Sequence, residues 1–262
     1  MSKLYRTIRW RFHKRLRNFV IADAGPETFI VSARDTFIGE LLFIQGQHDL
    51  DKLEKALGLL DKRPKTLIDV GANIGPICIP AVARGYVESA VAIEPEPNNL
   101  RLLRANVALN GLENRVTIHA TAAGMADGET LVLDLCVDNL GDHRIHAEGD
   151  AGREGIGVSV WTLDTLCADA ADPLIWMDTQ GYEGFVLAGG ARILGGKPPV
   201  VAEFWPYGLK RSGSFEAFCS ALSHYEQFID LKSEVRRPIG DLPTLYNEIG
   251  EAITAGTDIL VV

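Results

Sequence analysis

The 262-residue chain is 47% hydrophobic and 23% charged, with a net charge of −9, the composition of a globular protein large enough for one α/β domain or one domain with an extension. No apolar run approaches the roughly 20 residues of a membrane span. The cysteines (Cys78, Cys136, Cys167, Cys219) are scattered without a Cys-x-x-Cys pair, which argues against a disulfide scaffold or a zinc module and suits a reducing cytoplasm.

The charge is uneven. Residues 1–17 hold seven bases (Lys3, Arg6, Arg9, Arg11, Lys14, Arg15, Arg17) and no acid, leaving 19 bases against 35 acids, or −16, in the remainder. An acidic body disfavours nucleic acid, whose phosphates it repels. No apolar core follows the basic stretch, so no signal peptide is expected.

Tyr5, Ile8, Phe12, Leu16 and Phe19 recur at helical spacing among those bases, so residues 3–20 read as a basic amphipathic helix within an N-terminal segment 1–25. The favoured expectation is that its apolar stripe packs on the main domain; the alternative is peripheral contact with an anionic membrane surface. An extension over 26–62 follows. "ETFIVSARDTFIGELLFIQ" (27–45) reads as short strands around a turn at 33–35. Residues 48–62 read as a helix with Leu50, Leu53, Leu57 and Leu60 on one face.

From residue 63 strands and helices alternate. Strands are expected at 66–70, 89–94, 115–120, 173–178, 198–204, 227–232 and 257–262. Helices are expected at 74–84, 97–109, 161–168, 182–194 and 213–226. The pattern predicts a seven-stranded, mostly parallel sheet with helices on both faces. The helix at 97–109 has Pro97 at its start and Asn110-Gly111 at its end, both at favoured positions. Two stretches interrupt the alternation: an extra strand at 129–137, and a glycine-rich charged segment at 139–157 read as a long surface loop or lid.

In open α/β sheets the ligand sits at the carboxyl ends of the strands where their order reverses. The first strand there ends in "LIDVGANIG" (67–75) and the second in "VAIEPEP" (91–97). Gly71 lets a ligand approach the backbone, Gly75 permits tight strand–helix packing, and Glu94 can accept both hydrogens of a ribose diol. The loop spacing D-x-G-x-N-x-G matches neither the G-x-G-x-x-G of a dinucleotide site nor a Walker loop, and residues 66–83 contain no base. A nucleoside carrying a cation fits better. S-adenosylmethionine (SAM) is one: its amino group could pair with Asp69, directly or through water. Asn73 tolerates left-handed backbone angles, and its amide could bind the ligand or brace the turn.

The chain resembles the FkbM-type SAM-dependent methyltransferases. "LIDVGANIG", "AIEPEPNNLRLLRANVALNG" (92–111), "HATAAGMADGE" (119–129), "LIWMDTQGYEGFVLAGG" (174–190) and "VVAEFWP" (200–206) occur in family order across residues 63–206. The resemblance implies a Rossmann-like class I methyltransferase sheet with a reversed last strand, over a domain at 63–262. It implies methyl transfer to an oxygen of a sugar, lipid-linked glycan or polyketide-like product. Carried over by position, Asp69, Gly71, Ala72, Asn73, Gly75, Glu94 and Pro95 are cofactor residues. Thr121, Ala122 and Ala123 lie where the adenine is expected, and Asp178 where such enzymes face the methyl group. The family often has Glu-Gly after the fourth strand; here it is Gln180-Gly181.

Methyl transfer from a sulfonium needs alignment, and an alcohol acceptor needs its proton removed. The catalytic candidates are Asp178, Glu183, Glu203 and His143, with Asp178 first; its competing role is capping the helix near 182. Glu183 could instead serve the helix dipole, and His143 could be a solvated loop residue. Asp178, Glu183 and Glu203 could gather a divalent cation, but no compact metal motif is present, so none is expected. His143 and His146 sit in a poor place to preorganise a metal pair. Trp205 could wall an acceptor pocket or pack in the core, and Asn139, Asp142 and Arg144 are weaker acceptor-site candidates. The expected partner is a small-molecule or glycan acceptor. N-methylation of an amino sugar or peptide, a dehydrogenase and a non-catalytic nucleotide-binding domain are the alternatives. Oligomeric state is not legible.

Overall fold

The computed structural model describes residues 3–262, so residues 1 and 2 of the N-terminal segment lie outside the described residues. The chain opens with a helix, α1 (Lys3–Leu16), and an antiparallel hairpin, β1 (Phe19–Ala24) with β2 (Glu27–Ser32). Helices α2 (Ile38–Gln45) and α3 (Leu50–Gly58) lead to β3 (Thr66–Val70). Then come α4 (Cys78–Ala83), β4 (Ser89–Ile93), α5 (Pro97–Leu109) and β5 (Val116–His119). A second sheet is inserted here from β6 (Ala122–Ala123), β7 (Glu129–Leu135), β8 (Arg144–Ile145) and β9 (Glu154–Trp161). The alternation resumes with α6 (Leu163–Leu166), β10 (Pro173–Met177), α7 (Glu183–Ala188), α8 (Ala191–Leu194) and β11 (Val200–Phe204). It closes with α9 (Pro206–Ser212), α10 (Phe215–Leu222), β12 (Gln227–Asp230), β13 (Arg236–Pro238), α11 (Leu242–Ile249) and β14 (Thr257–Val261).

The main sheet has the order β13-β12-β14-β11-β10-β3-β4-β5. Strands β11, β10, β3, β4 and β5 run parallel, and β14 is antiparallel to both neighbours. All seven expected strands are present and the last is reversed; the eighth, β13, pairs with the edge strand β12. β3 is buried along its whole length, as a central parallel strand covered on both faces should be. The order reverses between β3 and β10, which puts a crevice at their carboxyl ends.

Several expectations needed correction. Residues 38–45 are a helix, because Asp35 accepts the backbone N–H groups of Phe37 and Gly39 and starts it, as side-chain capping does. The helix expected at 74–84 begins only at Cys78, whose N–H is held by Asp69. The helix expected at 182–194 breaks at Gly189-Gly190, where a Cβ on Gly189 would come 2.0 Å from the carbonyl oxygen of Gly124. Residues 139–157 are not a loose loop. They contain β8 and the start of β9, and they are tied down by Arg153 on Asp142 at 2.6 Å and by Arg211 on Asp150.

The N-terminal helix also contradicts its favoured reading. Its apolar stripe faces away from the body: Leu4, Tyr5, Ile8, Phe12 and Leu16 are exposed, and only Trp10 is buried. Trp10 packs against Phe43 at 5.3 Å and donates to Glu40 at 2.8 Å. A mean-hydrophobicity pattern cannot tell which face of a helix meets the body; a single bulky residue on the polar face has settled it. Among the described residues no helix is long and apolar enough to cross a membrane.

Candidate active site

The loop after β3 is shaped by what lies behind it. Gly71 has φ +83°, and a Cβ there would sit 2.2 Å from the carbonyl oxygen of Asp178, so the close approach of β3 and β10 admits only glycine. Asn73 is left-handed, with φ +49°. Its amide accepts from Ile74 N at 2.8 Å and donates to Leu140 O at 2.8 Å. It thus braces the turn and fastens the 139–157 segment to it. Gly75 lies against Ile79 and Leu103, as tight strand–helix packing requires.

Glu94, at the end of β4, accepts from Asn73 N and Glu96 N, each at 2.8 Å. Burial pushes its carboxyl up to about 7, against the pull of those two N–H groups. Glu96 caps α5 by accepting from Asn99 N. These elements line a cleft at the switch point. Its walls include Gly71, Asn73, Glu94, Pro95, Ala122, Ala123, His143 and Asp178.

The remaining expected cofactor residues stand behind the wall. Ala72 and Gly75 shape the loop through backbone bonds, and Thr121 donates to Ser159 O at 2.6 Å. Asp69 is the main correction. Its carboxylate turns away from the cleft and accepts Cys78 N at 3.1 Å. Burial raises it to about 7, so a direct pairing with a cofactor amine is not what this geometry offers. Asp69 instead sets the start of α4.

His143 enters the cleft, but not as a base. Its Nδ1 accepts from Cys136 N at 3.0 Å, which leaves the proton of the neutral ring on Nε2. Burial pulls its pKa down, opposed by Glu96. His146 turns instead to Asp134 at 2.8 Å, so the two histidines form no ligand pair. Nε2 of His143 and Oδ1 of Asn99 are buried without a partner, and both residues line the cleft. A donor and an acceptor left unmet in a buried wall fit a polar ligand such as a nucleoside, because such groups are costly unless something meets them.

Asp178 does not cap α7. Its Oδ1 accepts from Gln180 Nε2 at 2.6 Å. Burial raises its carboxyl to about 6, with Gln180 opposing and Glu183 adding to the rise. The departure from Glu-Gly is thus legible: a glutamate at 180 would set a further carboxylate beside Asp178. Gly181 (φ +95°) approaches the backbone of Gly208 on α9. Glu183 is fully buried and accepts from Thr179 N, Thr179 Oγ1 and Gly181 N. It holds the turn that carries Asp178.

A second cleft adjoins the first through Gly141, Asp178 and Gln180. It is lined by Asp49, Asp178, Glu203 and Asp258 against one lysine, Lys52, and one histidine, His48. Lys52 lies 2.7 Å from Asp258 and 3.0 Å from Asp49. Burial alone would pull its pKa down, but those two acids raise it. Asn139 lines this cleft, while Asp142 and Arg144 are paired with each other. Trp205 takes the packing role. It is buried, donates to Ile253 O and carries Arg144 on its face at 4.8 Å, and it lines a recess next to Glu203. Sequence reasoning missed Asn99, Tyr182, Asp49, Lys52 and Asp258. Asp258 stands opposite Glu203 in the β11–β14 register, which only strand pairing reveals.

A mostly parallel sheet with β14 reversed between β11 and β12, and a cleft at its switch point, defines the class I, Rossmann-like methyltransferase architecture. The match can be made narrower. The Methyltransferase FkbM domain model matches residues 69–226, so the chain belongs to the FkbM methyltransferase family. It is a SAM-dependent methyltransferase. Similar solved structures include TYW2 of P. horikoshii in complex with MeSAdo, 14% identical with a TM-score of 0.44 over 93% of this chain and 71% of that one. Another is the precorrin-6y C5,15-methyltransferase of Geobacter metallireducens, 12% identical with a TM-score of 0.40 over 80% and 86%. A third is the ribosomal protein L11 methylase of Lactobacillus delbrueckii subsp. bulgaricus, 14% identical with a TM-score of 0.40 over 82% and 79%.

Proposed function

We propose that the protein transfers the methyl group of SAM to a hydroxyl of a saccharide, glycolipid or glycosylated metabolite. The observation that carries this reading is the position of Asp178, which faces both the cofactor cleft and the acid-lined cleft beside it. Four carboxylates at the second cleft offer hydroxyl-accepting groups in number and repel anionic acceptors. A neutral polyol suits that wall.

When bound, SAM supplies an activated methyl on a sulfonium with a neutral thioether as leaving group. The chain does the rest. Glu94 takes the ribose diol, Asn99 and His143 offer their unmet acceptor and donor, and Gly71 keeps the floor free of side chains. Gly71, Ala72, Asn73 and Gly75 shape that floor, with Pro95, Ala122 and Ala123 as the apolar walls and Thr121 behind them. Asp178 accepts the acceptor's proton as the hydroxyl attacks, and Glu183 and Glu203 position it. The carboxyl is raised to about 6, so it is deprotonated at neutral pH yet basic enough to help.

The same acid-rich wall supports one second reading, N-methylation of an amino sugar or peptide amine, since an ammonium is attracted there. A panel of saccharides, amino sugars and peptides incubated with SAM and followed by mass spectrometry separates the two. A mass increment of one methyl on oxygen is expected. Methylation only on nitrogen refutes the hydroxyl reading. Asp178→Asn should lower turnover by about 10²–10⁴-fold with SAM affinity retained. Undiminished turnover removes Asp178 from the mechanism.

A further inference from the structure

We propose that Asp178, Glu183 and Glu203 form a binding site for a hard divalent cation, of the magnesium, manganese or calcium type, at the junction of the two clefts. This rests on the acceptor-site reading above. The three residues come from the end of β10, the first turn of α7 and β11, and each brings a carboxylate oxygen within 4.8 Å of the other two. Glu183 is fully buried, and its Oε2 has no hydrogen-bond partner; Oε2 of Glu203 is likewise buried and unpartnered. Buried carboxylates this close together are costly unless a proton or a cation meets them.

Lys52 lines the same cleft and acts on Glu203 at longer range, but it does not reach the three carboxylates. Among the described residues no lysine or arginine forms an ion pair with any of the three; Lys52 is committed to Asp258 and Asp49. A second acidic group, Asp134, His146 and Asp150, makes the contrast. There His146 hydrogen-bonds Asp134 and Arg211 pairs with Asp150, so these carboxylates have partners within the chain. An all-oxygen donor set selects magnesium, manganese or calcium over zinc or copper. A cation here lowers the pKa of an acceptor hydroxyl beside the carboxylate that faces the cofactor.

The test is a titration of the metal-stripped full chain with Mn²⁺, followed by electron paramagnetic resonance and calorimetry. One Mn²⁺ per chain is expected. Glu203→Gln should weaken it at least about tenfold, since even residues behind a metal's ligands matter that much. Asp134→Asn should leave binding unchanged. SAM affinity of Glu203→Gln serves as the check that it folds. No binding at millimolar Mn²⁺, or binding undiminished in Glu203→Gln, overturns the proposal. If turnover survives a chelator but not Asp178→Asn, the cation falls and the acceptor reading stands. If it survives both, both fall.

A separate observation carries a second inference: α1 and β1 form a docking face for anionic lipid bilayers. At 3.6 residues per turn, Leu4, Tyr5, Ile8, Phe12 and Leu16 fall within roughly a third of the helix circumference. All are exposed, with Ile8 at 58% and Phe12 at 63%, and Phe19 and Ile21 of β1 are exposed as well. Single exposed hydrophobics are ordinary, but this many in 18 residues mark an interaction surface. Arg11, Lys14 and Arg15 rise from the same helix, on a body whose remaining charge is −16. An apolar stripe among bases suits anionic lipid, which supplies both the apolar phase and the countercharge.

Deleting the segment would remove the buried Trp10, so surface substitutions are the better probe. The full chain should sediment with vesicles containing phosphatidylserine and far less with phosphatidylcholine alone, with the difference lost at high salt. Ile8→Glu combined with Phe12→Glu should reduce sedimentation at least about tenfold without changing the melting temperature. Absence of wild-type sedimentation, or equal sedimentation of the variant, overturns the inference. So does a solution dimer that the variant abolishes, because a second copy then covers the stripe.

Discussion

Glu94→Gln tests the cofactor cleft and its electrostatics together. The Glu94 carboxyl is raised from its ordinary 4.5 to about 7, because burial disfavours its charge more than Asn73 N and Glu96 N favour it. A carboxyl raised on folding contributes stability that is fully present below its unfolded pKa and is lost as pH rises through its folded one. That displacement corresponds to about 3 kcal/mol of stability lost by the wild type between roughly pH 4.5 and 7. Glutamine does not titrate. It keeps one of the two N–H bonds and leaves the other donor facing an amide, at a cost of about 1–3 kcal/mol independent of pH. Chemical unfolding should therefore show the variant weaker than wild type at pH 5, with the gap closing by about 3 kcal/mol on going to pH 8. Calorimetry at pH 8 should show SAM affinity reduced about 10- to 100-fold, the worth of hydrogen bonds to a charged group. Parallel stability curves across that pH range would refute the buried-charge argument. Undiminished SAM affinity would remove Glu94 from the ribose.

Gly71→Ala adds a Cβ 2.2 Å from a backbone oxygen at φ +83°. It should cost at least about 2 kcal/mol in thermal unfolding and abolish SAM binding. Asn73→Ala removes two hydrogen bonds and a residue suited to left-handed backbone. About 2 kcal/mol of lost stability should appear with faster amide exchange across 139–145, the segment it fastens. Trp10→Ala should cost about 3–5 kcal/mol in urea unfolding; a loss under about 1 kcal/mol would show that α1 is not anchored by this residue. In the metal-free protein, turnover under the proposed mechanism should fall as pH drops through about 6, where Asp178 takes up its proton; a cation on that carboxylate would move the fall to lower pH. A metal-free rate flat to pH 5 would point to another base.

Local order was legible from the residues alone wherever it depends on near neighbours. The seven strands, the helix from Pro97 to Asn110 and the glycine loop after β3 follow from periodicity, capping and backbone freedom over a few positions, and the family motifs carried the cofactor. Direction and partnership were not. Asp69 and Glu94 are both acids at strand ends, yet one turns back to hold Cys78 N and the other faces the cleft, because pleat and crossover geometry choose the side. Only strand pairing set Asp258 opposite Glu203 and made a wall of four carboxylates from residues 49 to 258. The stripe on α1 is plain in the sequence, but which side of that helix meets the body was decided by Trp10 finding Phe43 and Glu40 some 30 residues away. Periodicity measures what a segment can bury; the rest of the chain decides what it does bury.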